Sequence, residues 1–87
     1  MSKTRDDEEW IDHAKGLLKA ELRRRNLTYR DLARLLTEAG SPENERNLTN
    51  KIARGSFTAA FLLQCLHIIR ADTVDIRHLR EQNPAAS

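Results

Sequence analysis

Arginine and asparagine give this 87-residue chain most of its recognition chemistry. Eleven of its fifteen basic residues are Arg, whose rigid fork of donors fits phosphate and the edge of guanine, as an Asn amide fits adenine. Both types meet in ERNLTNKIAR, residues 45–54, at Arg46, Asn47, Asn50, Lys51 and Arg54. A solvated helix face would have the same composition, so the residue types alone leave both readings open. Catalysis is poorly served. His13, His67, His78 and Cys65 lack the i, i+4 or Cys-x-x-Cys spacing of a tetrahedral metal site. There is no phosphate-cradling glycine loop, nucleophile elbow or paired-histidine zinc motif. We expect a non-enzyme with no metal, no cofactor and no small-molecule ligand.

The elements that must position these residues are helical. The chain has only 3 Gly and 2 Pro, and 39% of it is apolar, with no stretch alternating at period two. It has room for one domain, expected over residues 7–81, with flexible termini at 1–6 and 82–87. A lone cysteine forms no internal disulfide, the acidic N-terminus is no signal peptide, and the apolar run in 59–69 is too short for a bilayer. These features point to a cytoplasmic protein without membrane contact. The formal net charge is only +2, but it is unevenly spread. Acids crowd Asp6–Asp12, while Arg23, Arg24, Arg25, Arg30 and Arg34 form a basic cluster.

Five helices are expected. The first spans about Asp7 to Arg25, with Trp10, Ile11, Ala14, Leu17, Leu18 and Leu22 on its apolar face, Gly16 at a close crossing and Asn26 as its stop. In the second, Thr28 and Asp31 make a capping box, Leu27 and Leu32 a hydrophobic staple, and Gly40 ends the helix. The third begins at Ser41 or Asn44 and covers about 42–54, with Leu48 and Ile52 as its narrow apolar stripe. Glu43, Arg46, Asn50 and Arg54 then lie opposite that stripe, flanked by Asn47 and Lys51. Thr58 caps the fourth, with Phe57 and Leu62 as its staple. AAFLLQCLHII is apolar nearly all round, which predicts a central helix with Cys65 buried. Asp72–Thr73 recaps the chain into a short fifth helix carrying Val74, Ile76 and Leu79.

Taken together, LKAELRRRNLTYRDLARLLTEAG, NERNLTNKIARG and FTAAFLLQCLHIIRADTVDI resemble the lambda-repressor-like (Cro/C1, XRE-type) helix-turn-helix superfamily over roughly Leu17 to Leu79. NLTYRDLA stands where that superfamily has a GLSQEELA-like stretch. Ala33 falls at the small position where its two motif helices cross, and Ile52-Ala53-Arg54-Gly55 falls at the end of its recognition helix. The chain departs from the pattern at Thr37, in the usual glycine position. It departs again in some six extra residues within TEAGSPENE, which require longer helices or a wider turn, and at Tyr29, in place of the usual glutamine.

The resemblance implies an all-α, lambda-repressor-like bundle of about five helices that binds double-stranded DNA as a bacterial transcriptional regulator. The third helix would enter the major groove while the second crosses the backbone. Arg46, Asn47 and Asn50 would then contact bases. Thr28, Tyr29, Arg30, Lys51, Arg54, Ser56 and Thr58 would contact phosphates. Glu43 and Glu45 would repel phosphates unless paired with Arg46. A homodimer is expected, through Trp10, Ile11 and the fifth helix. The competing reading is a protein–protein interaction module on the same scaffold.

Overall fold

The computed structural model describes residues 5–55 and 57–82. These form α1 (Arg5–Arg24), α2 (Tyr29–Glu38), α3 (Glu45–Arg54), α4 (Ala59–Ile68) and α5 (Arg77–Gln82), with no strand among them. The described residues make an all-α bundle of five helices. α2 packs against α3 and α4, and α1 packs against α4. Leu18 and Leu22 of α1 meet Leu32 and Leu36 of α2, Leu48 and Ile52 of α3, and Cys65 and Leu66 of α4 in one buried cluster.

Three helix ends explain how so short a chain turns so sharply. α1 stops at Asn26, which takes the left-handed conformation at φ 60°. The Leu27 amide then reaches back to the Leu22 carbonyl at 2.9 Å and the Asn26 amide to Arg23 at 3.0 Å. This is a Schellman closure, and it pulls apolar Leu27 onto the core. α2 repeats it with Gly40 at φ 96° and Ser41 bonded to Leu36. α4 repeats it with Arg70 at φ 63° and Ala71 bonded to Leu66 at 2.8 Å. Arg70 has none of glycine's freedom there, and the left-handed region costs a side-chain-bearing residue roughly 1 kcal/mol or more.

The start of α2 forms as its sequence predicts. Thr28 Oγ1 accepts from the Asp31 amide at 3.1 Å, and the Asp31 carboxylate accepts from the Thr28 amide at 2.9 Å. The start of α3 settles on Asn44, whose Oδ1 accepts from the Asn47 amide at 2.8 Å. The expected range of 42–54 is therefore corrected to Glu45–Arg54. The cause lies across the turn. Thr37 Oγ1 donates to the Glu43 carbonyl at 3.0 Å and accepts from the Glu43 amide at 3.1 Å, holding Glu43 outside the helix. With α2 and α3 only ten residues each, the extra residues go into a wide turn.

Four other expectations need correction. Gly16 lies at no close crossing, since a Cβ built there would meet nothing within 4 Å. α4 is not central. Cys65, Leu66 and the following Ile69 are buried, but Leu63 is 67% exposed. A domain this small lacks the layers to cover both faces of a helix. Trp10 is 46% exposed, because α1 is twice the length of α2–α4 and Trp10 lies near its far end. Residues 71–76 are not helical. α5 begins at Arg77, whose amide donates to Asp75 Oδ1 at 2.9 Å, so Val74 and Ile76 precede it. Of the termini expected to be flexible, Arg5 and Asp6 belong to α1 and Gln82 to α5; residues 1–4 and 83–87 lie outside the described residues. No helix among the described residues is long and apolar enough to cross a membrane.

Candidate nucleic-acid interface

α3 meets the core along one edge only. Leu48 and Ile52 are fully buried. At 100° per residue, Arg46, Asn50, Arg54 and Asn47 fan across the opposite side. Arg46, Asn50 and Arg54 are exposed there and Asn47 is exposed as well. Among the described residues, the side chains of Arg46, Asn47, Asn50 and Arg54 make no hydrogen bond or ion pair. Their donors therefore stay available, and Arg46 and Arg54 keep uncompensated charge. The helix is also well closed at the far end. Gly55 takes φ 66° against Ile11 of α1, and a Cβ there would collide with the Ile11 Cγ2 methyl.

The two acids expected to oppose an anionic partner are already engaged. Glu43 Oε2 accepts from Lys51 Nζ at 3.1 Å, and that ammonium also lies 4.5 Å over the ring of Phe61. Glu45 Oε1 accepts from Arg30 Nε at 3.4 Å. Neither carboxylate needs Arg46. The cost is that Lys51, expected at a phosphate, is held against Glu43 and Phe61.

The other expected phosphate contacts divide by chemistry. The Thr28 hydroxyl accepts from the Asp31 amide and donates to the Asp31 carboxylate at 3.0 Å, so the capping box uses it fully. These bonds from Thr28 hold the Asp31 carboxyl below the usual carboxylate range. The Thr58 hydroxyl caps α4 by accepting from the Phe61 amide at 3.0 Å. Tyr29 packs against the core, and burial raises its phenol above the ordinary value. Ser56 lies outside the described residues.

Lys19, not singled out in the sequence, joins Arg23 of the basic cluster beside these. Lys19 and Arg23, one helical turn apart on α1, line an open cleft of about 320 Å³ with Leu22, Leu27, Thr28 and Tyr29. Both cations are exposed, and neither has an ion-pair partner among the described residues. Their i, i+4 spacing was the available signal. The remaining arginines of the basic cluster are paired. Arg24 and Arg25 donate to Glu21 at 3.1 and 2.6 Å, and Arg34 lies 3.4 Å from Glu38 and 3.9 Å from Asp31. Glu21 is only 2% exposed.

An apolar cleft of about 480 Å³ lies elsewhere, between Trp10, Ile11 and Ala14 of α1 and Phe57 and Leu62. No cluster of three His, Cys, Asp or Glu side chains among the described residues is placed to hold a metal ion. Cys65 is buried, and that burial pushes its thiol up to about 12.

No curated protein and no solved structure matches this chain. Residues 10–74, from Trp10 in α1 to Val74 ahead of α5, match the family described as Domain of unknown function (DUF6471), and the chain belongs to that family.

Proposed function

We propose that this chain is a non-enzymatic, sequence-specific DNA-binding protein, a lambda-repressor-like transcriptional regulator of the bacterial cytoplasm that inserts α3 into the major groove. One observation carries the reading. α3 bears four exposed polar side chains opposite its buried stripe, without partners among the described residues, while the nearby acids Glu43 and Glu45 are already neutralised. Arg46, Asn47 and Asn50 read base edges, and Arg54 binds phosphate. Arg30 adds a second phosphate contact through the terminal guanidinium nitrogens that its Nε bond to Glu45 leaves free. The wide turn between α2 and α3 alters the docking angle and leaves the face of α3 open. A single module of this size gains useful affinity and a palindromic site by acting in pairs.

The test is fluorescence anisotropy of the purified protein against a random duplex and against the DNA upstream of its own gene, across a salt series. DNA binding is expected to weaken steeply with salt, log K falling by about 0.9 per neutralised phosphate for each unit of log salt. Absence of binding to either duplex at low salt would overturn the reading. The apolar cleft at Trp10, Phe57 and Leu62 favours a second reading, a protein-interaction module. In that case, association with the partner would hardly respond to salt.

A further inference from the structure

No other helix packs extensively over the outer face of α1 among the described residues; along one side of it Asp12, Gly16 and Ala20 border an open cleft toward Asp75 and His78. Glu9, Asp12, Gly16, Ala20 and Arg23 all lie on it, and all are exposed. Glu9, Gly16 and Arg23 are spaced by seven residues, so they fall almost on one line, drifting only about 20° per step. The charges on and beside that line are segregated. Glu8 and Glu9 sit toward the N-terminal end and Lys19 and Arg23 toward the C-terminal end, and none of the four has an ion-pair partner among the described residues. Gly16 lies midway, with open space where a side chain would stand.

We infer that this face docks against the same face of a second copy, the two α1 helices running antiparallel about a two-fold axis at Gly16. The charge pattern selects the partner and the direction together. An antiparallel pair puts Glu9 of each copy opposite Arg23 of the other and brings Asp12 near the other Lys19. A parallel pair would set Glu9 against Glu9 and Arg23 against Arg23, and like-charge contacts oppose association. The missing side chain at Gly16 lets the helices approach closely at the axis, where the paired charges are furthest away. This names the surface for the paired action proposed above, but it stands on α1 alone and is tested without DNA, so its failure leaves the DNA reading in place.

The experiment is sedimentation velocity at low salt on the wild-type chain, on Glu9→Arg, on Arg23→Glu, and on an equimolar mixture of the two variants. Both substituted side chains are exposed and unpartnered, and a thermal melt by circular dichroism checks that each variant folds. Wild type is expected to dimerise, more weakly as salt is raised. Each variant alone places like charges across the axis and is expected to lose roughly tenfold or more in association constant. In the mixture, position 9 of each variant again faces the opposite charge at position 23 of the other. The mixture is therefore expected to associate as wild type does. A monomeric wild type, single variants that dimerise as wild type does, or a mixture no more associated than its components would each overturn the proposal.

Discussion

Between Arg23 and Arg34 lie five arginines, and four of them are used within the fold. Arg24 and Arg25 hold the buried Glu21, Arg30 holds Glu45, and Arg34 lies between Asp31 and Glu38. Between Arg46 and Arg54 lie only three cations. Lys51 is committed to Glu43, while the two arginines meet no carboxylate among the described residues. The denser cluster has the lower free charge. Acids placed three or four residues from a cation on one helix neutralise it locally, and α3 contains no such acid on its outer face. What a partner meets is the charge left after internal pairing, not the count along the chain.

The contrast can be broken at the end of α3, where Gly55 meets α1. Gly55→Ala forces a Cβ onto Ile11 of α1 and strains a left-handed backbone. It should destabilise the fold by about 2–4 kcal/mol, seen as a lower urea midpoint. Next is the committed cluster. Arg25→Met leaves Glu21 buried with only Arg24 as its partner, a loss of about 2–3 kcal/mol by the same measurement, with α3 unaffected. Arg46→Ala should behave in the opposite way, leaving the urea midpoint unchanged while costing about 1–3 kcal/mol of affinity for the preferred duplex.

Smaller effects sharpen the picture at the helix ends. Thr28→Ala removes the capping hydroxyl and should cost about 1 kcal/mol. It should also flatten the acid limb of the stability profile. Asp31 has its carboxyl lowered by Thr28, so its contribution is present above the ordinary carboxylate range. That contribution is lost as pH falls through the lowered folded value. Without Thr28 the loss on acidification shrinks, which stability measured from about pH 6 down to about pH 2 would reveal. Arg70→Gly should stabilise, by about 0.5–1 kcal/mol in thermal melts, by relieving the left-handed strain at the end of α4.

What the sequence made legible was local. The Thr28–Asp31 box, the stops at Asn26, Gly40 and Gly55, and the outward fan of Arg46, Asn47, Asn50 and Arg54 follow from spacings of three, four and seven residues. The buried Glu21 went unread, although it is the one acid in the stripe Ala14, Leu18, Glu21, Arg25. The bond between Thr37 and Glu43 and the bridge from Glu43 to Lys51 were not legible, because the path of a wide turn decides which side chains meet across it. Thr28 and Thr58 teach a related lesson. A hydroxyl correctly recognised as a cap is, for that reason, no longer available to hold a phosphate. The exposure of Leu63 belongs to tertiary structure, since no window of α4 records how few neighbours the bundle has to place around it.

The buried Cys65 gives the molecule a clock. Burial pushes its thiol up to about 12, which disfavours the thiolate, the form that reacts, while the bundle is closed. The packing of α1 and α2 over α4 shields the sulfur as well. An alkylating reagent in excess must therefore wait for the bundle to part. The labelling rate then counts how often this small protein opens, with no engineered probe and no denaturant.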